Sequence, residues 1–203
     1  MKYALALSLL GGLFPANRNL VENPLERKTL ECSPHLKNPF PINDSRQGYT
    51  KENVKNIIKE TYKQIQCKPK YFSEKFLEEM VKKESTYNQN AVGSSGERGL
   101  LQILPDTWGK QTKLLYGNSL DFELAFNPQT NLQVGISYLF WIEKLLKNKY
   151  PEWKSLSDKE KRGMLMASYN AGINRFLANQ GDISKMPHGT RKYISEIEAG
   201  IED

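Results

Sequence analysis

Asn127-Pro128 opens a run, reaching about Lys147, in which Leu132, Gly135, Tyr138, Leu139, Ile142, Leu145 and Leu146 recur at helical spacing. Asparagine can cap the free N–H groups of a first turn and proline fits inside it, so the pair marks a helix start. A helix with so much apolar surface needs partners on several sides, and it organises whatever else the chain folds into. From Thr50 onward the partners have the same periodicity. Thr50 predicts an N-cap for a helix to about Gln66, with Val54, Ile57, Ile58, Tyr62 and Ile65 on one face. Ser73 starts a second helix, Ser157-Asp158-Lys159-Glu160 has capping-box spacing ahead of Met164, Leu165 and Ala167, and a last helix begins near Thr190 with Tyr193, Ile194 and Ile197. No run alternates β-branched residues and no internal repeat is evident, so the expected fold is mainly α, with little or no sheet. At 38% hydrophobic and 26% charged, the 203 residues have a soluble globular composition. Residues 49–203 suffice for one domain with one core.

The N-terminal part reads differently. Met1-Lys2 precedes an uncharged apolar stretch that breaks at Pro15-Ala16, the order of parts in a secretory signal peptide, assigned to 1–16. The alternative is a first element buried in the fold. Residues 17–48 are crowded with Asn and Pro and form an extended lead-in. Export would put Cys32 and Cys67 in an oxidising compartment, where pairing is the natural expectation and would contribute about 3 to 4 kcal/mol; two free buried thiols are the other reading. Neither cysteine has a CxxC partner, and His35 and His188 stand far apart, so no metal site and no cofactor are expected. No apolar run approaches the length of a membrane span. The net charge of +6 comes mostly from dispersed lysines. Lys82-Lys83 and Lys159 with Lys161-Arg162 are short runs without an aromatic platform, which argues against a nucleic-acid partner.

The helix from Ser73 carries the chemistry. Leu77, Met80 and Val81 fall at i, i+3 and i+4, and i+7 is Glu84. Glu78, Glu79, Lys82 and Lys83 are expected on the outer face, which leaves Glu84 on the core side at the helix end. A partly desolvated carboxyl holds its proton to higher pH, as a general acid must. The alternative is a helix that ends with Glu84 turned to solvent. After it comes the small-residue loop Ala91–Gly99, where Gly96 and Gly99 allow a tight turn and close approach to a ligand. Gln102 follows as a polar group among Leu100, Leu101, Ile103 and Leu104.

Four ordered blocks then make a specific pattern. Glu84-Ser85 with Tyr87-Asn88 and Ala91-Val92, Gly96-x-x-Gly99-Leu-Leu-Gln102-Ile-Leu-Pro105, Asn127-Pro128 with Asn131-Leu132-x-x-Gly135-x-x-Tyr138-Leu139, and Ser168-Tyr169-Asn170-Ala171-Gly172 resemble the catalytic domain of the soluble lytic transglycosylases. That family belongs to the lysozyme-like superfamily, and the match runs from about Ser73 to Tyr193. The resemblance implies a lysozyme-like single domain with a cleft, of the goose-type lysozyme kind. It also implies a cell-wall substrate, the glycan strands of peptidoglycan; the leader at 1–16 predicts export to the periplasm or cell wall, and the chain is expected to be a monomer. In that family one acid, here Glu84, protonates the glycosidic oxygen between N-acetylmuramic acid and N-acetylglucosamine. It then takes the proton of the muramic acid's own 6-hydroxyl as a 1,6-anhydro ring closes.

Carried over by position, Ser85 supports the acid or contacts saccharide, Gln102 bonds sugar or the acid's surroundings, and Tyr169 lies near Glu84. Asn170 holds the turn or an N-acetyl group, and Tyr193 lines the cleft within reach of the acid. Leu101 stands where the family often has Met, and Ser168 where it usually has Ala. Two rivals remain at this level. A goose-type hydrolytic muramidase would need a second carboxylate to position water, about 6.5 to 9.5 Å from the first. Glu97, thirteen residues after Glu84, is the only acid in the intervening loop, and its setting between small residues and Arg98 predicts surface exposure. The other rival is a non-catalytic wall-binding component of a secretion, conjugation or phage system.

Overall fold

The computed structural model describes residues 48–66 and 68–202. The leader at 1–16, the lead-in as far as residue 47, and both Cys32 and Cys67 lie outside those residues, so the expected disulfide does too. Helix α1 (Lys51–Gln64) starts where Thr50 and Asn53 cap each other: the Asn53 N–H donates to the Thr50 hydroxyl at 3.2 Å, and the Asn53 side chain accepts from the Thr50 N–H at 3.1 Å. Ser73 caps α2 (Glu74–Ser85) by accepting from the Phe76 N–H. Helix α3 spans Pro105–Tyr116, and α4 (Pro128–Lys149) is capped by Asn127 with proline in its first turn. Ser157 and Glu160 form the reciprocal cap of α5 (Asp158–Ala171), followed by the short α6 (Ile173–Ala178) and by α7 (His188–Glu202). Three 3-10 turns, Phe122–Phe126, Pro151–Ser155 and Ile183–Lys185, join them.

Helix α4 is the centre. Helices α1, α3 and α5 pack against it, while α7 lies across α2 and α5 and α6 folds onto α5. The core they enclose includes Phe72, Phe76, Leu77, Met80, Leu100, Leu101, Trp108, Leu132, Ile136 and Phe176. Gly135 lets α4 come down on the 100–104 segment, because a Cβ there would collide with the Leu101 side chain. Among the described residues no strand ladder forms; two isolated bridges, Val92 with Arg98 and Arg98 with Ile103, are the only sheet-like pairing.

The structure departs from the sequence reading in several places. Helix α1 stops at Gln64 because Ile65 turns extended to enter the core, and α7 begins two residues before Thr190. Helix α3 has no apolar period to betray it, since its buried face is Trp108, Gln111 and Thr112. The two polar members are satisfied there: Thr112 donates to the Trp108 carbonyl, and Ser137 of α4 donates to the Gln111 side chain, each at 2.8 Å. Glu79, expected on the outer face of α2, is buried. Helix α7 covers that face, with Gly200 so close above Glu79 that a side chain there would strike the carboxylate. Lys75 and Lys82 neutralise it at 3.3 and 3.0 Å.

Helix α7 is fastened further by Lys83 of α2 paired with its Glu196, and by a two-pronged bond from Arg162 of α5 to its Glu198 at 2.8 and 2.6 Å.

Candidate active site

Helix α2 delivers Glu84 in its last turn and then stops abruptly. Thr86 and Tyr87 both take left-handed backbone angles, φ 53° and 63°, which side-chain-bearing residues adopt at a cost. The chain therefore leaves the helix immediately after Glu84-Ser85. The carboxyl is left half-buried at the end of a helix whose dipole disfavours negative charge.

Helix α7 meets it from the other side. The Tyr193 hydroxyl donates to Glu84 Oε1 at 2.7 Å, across 109 residues of sequence. Tyr169, from α5, is close enough to feel the same charge. Burial first, and then the neighbouring Glu84 carboxylate, push both phenols well above the ordinary tyrosine range. Both therefore stay protonated at neutral pH. The Tyr169 hydroxyl donates in turn to the Leu101 carbonyl at 2.6 Å, which ties α5 to the segment after the glycine loop.

That loop is built as a backbone knot. Gly93 donates to the Glu97 carbonyl, Gly99 donates to the Ala91 carbonyl, and Arg98 and Ile103 exchange two bonds at 3.0 Å. Gly99, at φ 77°, passes so close to the Ala125 carbonyl and the Asn131 side chain that a Cβ would overlap both. Its close approach is thus to α4 and the turn before it, where a ligand had been expected. Asn131, fully buried in the first turn of α4, accepts from the Leu101 N–H at 2.8 Å. It donates to the Arg98 and Ala125 carbonyls at 3.0 and 2.8 Å.

The remaining sequence candidates bond to backbone or, for Asn170, to a neighbouring side chain. Gln102, at φ 46°, donates its amide to the Ala91 and Gly99 carbonyls at 3.1 and 2.9 Å and so closes the loop on itself. Ser85 is buried and donates to the Val81 carbonyl of its own helix. Asn170 accepts from the Thr190 hydroxyl at 2.9 Å, joining the end of α5 to the start of α7 one turn before Tyr193. Glu97 corrects the expectation of surface exposure: it is 3% exposed. Its carboxylate accepts from the Ser95 N–H at 2.8 Å and lies over Gly93, whose missing side chain makes the room. A charged residue flanked by glycines looks external in sequence, but here the loop folds over it.

Glu84, Tyr169 and Tyr193 are thus brought together, while the bonds of Gln102 and Asn170 go to the loop backbone and to Thr190. The role of Asn131 was missed. It lacked the signal that singled out Gln102, since Gln129, Thr130 and Gln133 beside it are polar, and only its place in the family pattern pointed to it. Tyr138, given only as a core and pattern residue in the sequence, meets the Tyr169 ring at 5.5 Å, and Trp141, not singled out there, stacks on Tyr138. Among the described residues no group of histidine, cysteine and carboxylate side chains is arranged to hold a metal, and no helix is long and apolar enough to cross a membrane.

A family model described as the Transglycosylase SLT domain matches residues 61–186. The chain is 29% identical over 125 residues to membrane-bound lytic murein transglycosylase E of Buchnera aphidicola, a match covering 59% of this chain and 54% of the relative. It is 29% identical over 110 residues to membrane-bound lytic murein transglycosylase C of Histophilus somni, covering 52% of this chain and 29% of the relative. The chain therefore spans about half of the first relative's length and less of the second's. Among solved structures it is similar in fold to the 70 kDa soluble lytic transglycosylase of Escherichia coli, with a TM-score of 0.53 at 20% identity over 72% of this chain and 23% of that one. An inactive mutant of lytic transglycosylase Slt from Pseudomonas aeruginosa gives 0.53 at 18% identity, over 73% and 22%. These neighbours make the fold lysozyme-like.

Proposed function

The chain belongs to the Transglycosylase SLT domain family, and from that premise we propose that it is a peptidoglycan lytic transglycosylase acting on the β-1,4 bond between N-acetylmuramic acid and N-acetylglucosamine. Glu84 gives its proton to the glycosidic oxygen, the bond from that oxygen to the muramic acid C1 breaks, and the N-acetylglucosamine side leaves as an alcohol. The positive charge that develops at C1 is met by the substrate's own acetamido oxygen. The 6-hydroxyl oxygen then bonds to C1 while its proton returns to Glu84, so no water is consumed and the acid is restored. The observation that carries this reading is the half-buried Glu84 bonded to Tyr193 with Tyr169 beside it.

In this reading Glu84 alone moves a proton. Tyr193 steadies the carboxylate that remains after the first transfer, and Tyr169 borders the sugar. Ser85, Gln102 and Asn170 act mainly by fixing the backbone from which the site is built. The apolar leader and the wall substrate together support action in the periplasm or cell wall, where the net positive charge would favour an anionic polymer.

Removing the Tyr193 hydroxyl tests the steadying role. A hydrogen bond to a charged group is worth enough that Tyr193→Phe should lower kcat by about tenfold. An unchanged kcat would remove Tyr193 from the mechanism.

Product mass tests the reaction itself. Soluble fragments released from sacculi should be lighter by one water than hydrolysed ones and should lack new reducing ends. Release of reducing ends alone would overturn the transglycosylase reading. The burial of Glu97 keeps hydrolysis as the second reading, since a protected second carboxylate is what an inverting muramidase needs. Against it, that carboxylate is engaged by the Ser95 N–H within its own loop.

A further inference from the structure

We propose that Trp141 is a saccharide-stacking platform that extends the glycan-binding wall beyond the sugars at the scissile bond. The proposal rests on the transglycosylase reading of Glu84. Trp141 is 39% exposed, and it is the one aromatic among the exposed large hydrophobic side chains of the described residues. A single partly exposed side chain is ordinary on a protein surface, so the meaning of this one comes from where it stands.

Its position identifies the partner. Trp141 stacks on Tyr138, one helical turn earlier in α4, with ring centroids 5.7 Å apart and planes only 18° from parallel. Tyr138 meets Tyr169 at 5.5 Å, and Tyr169 is the phenol whose ionisation Glu84 opposes. Three rings thus lead from beside the acid to the partly exposed indole, whose stacking on Tyr138 takes up one of its two faces. A pyranose offers the complementary shape: one face of the ring is a patch of C–H groups, while its hydroxyls at the rim remain in water. A glycan strand whose muramic acid lies at Glu84 has further sugars to place along the wall, and an aromatic face accepts them with little demand on hydroxyl pattern. A peptide stem has no such flat face, and a protein partner would not require continuity with Tyr169.

The experiment uses the full chain carrying Glu84→Gln, so that fragments bind without turnover. The probes are a peptidoglycan tetrasaccharide and a disaccharide, both free of peptide. Trp108 and Trp153 are 1% and 4% exposed, so a saturable change in the emission of an exposed indole reports on Trp141. The tetrasaccharide should produce that change, and Trp141→Phe should abolish it while retaining most of the affinity measured by calorimetry. Trp141→Ala should weaken the tetrasaccharide by about tenfold, as expected for losing one apolar contact face, and should leave disaccharide affinity within about twofold of the parent. Equal tetrasaccharide affinity in Trp141→Ala and parent would overturn the proposal, and so would an equal loss for both fragments, which would mean general damage to the site. If neither fragment binds the Glu84→Gln chain, the functional reading fails along with the platform. If fragments bind and only the alanine variant is indifferent, the platform alone fails.

Discussion

Glu84→Gln should fold like the parent and release fragments from sacculi about a thousandfold more slowly, or not measurably. The amide keeps the shape of the carboxyl and can still accept the Tyr193 hydrogen bond seen at 2.7 Å, so the thermal midpoint should move little. What it lacks is a proton at a useful acidity. Both halves of the proposed cycle need that proton, first to give to the leaving oxygen and then to recover from the 6-hydroxyl, and the loss should therefore appear in kcat while fragment affinity persists. Wall clearance by the variant at the parental rate would make Glu84 a structural residue and would favour a wall-binding role.

Asn131→Ala should be the most damaging substitution for stability that lies outside the apolar core. Its three bonds reach the Leu101 N–H and the Arg98 and Ala125 carbonyls from a fully buried position. Alanine leaves a buried donor without its acceptor and removes the donor from two carbonyls, which should cost about 3 to 4 kcal/mol in urea unfolding. The damage should also reach the chemistry. Leu101 takes the Tyr169 hydrogen bond on its carbonyl, so freeing its N–H loosens the wall beside Glu84, and kcat should fall even where the variant is folded. Asn131→Asp is the informative companion. It keeps the acceptor for Leu101 but turns a carboxylate toward two carbonyl oxygens, and it should be destabilised as well. Parental unfolding midpoints for both variants would show that the loop holds itself together without α4.

The sequence revealed elements wherever one rule acted alone. Thr50 with Asn53, Ser157 with Glu160 and Asn127-Pro128 are local devices, and the helices begin where they stand. Helix α3 was hidden because its buried face is partly polar, and its polar groups are satisfied by Ser137 from a different helix and by the α3 backbone. Glu79 and Glu97 were misplaced for a related reason. A carboxylate belongs outside until something covers and pairs it, and what covers them is α7 in one case and a folded loop in the other. Glu84 stood out through periodicity together with the motif, whereas Tyr193 as its donor depended on a contact that local spacing does not encode. The family pattern gave Gln102 as a partner of sugar or of the acid's surroundings, and its amide also braces the loop through the Ala91 and Gly99 carbonyls.

The clamp on the acid has a consequence for how the protein acquires activity. Glu84 and Tyr193 are 109 residues apart, and α7 also carries the partners of Lys83 and Arg162. Contacts of such long range pay their loop-closure entropy before they return any stability, so they form late. A refolding chain should regain most of its helical signal first and its lytic capacity with the docking of α7. Until that docking, the glutamate is present but unheld, and whatever chemistry depends on it waits for the last long-range contact to form.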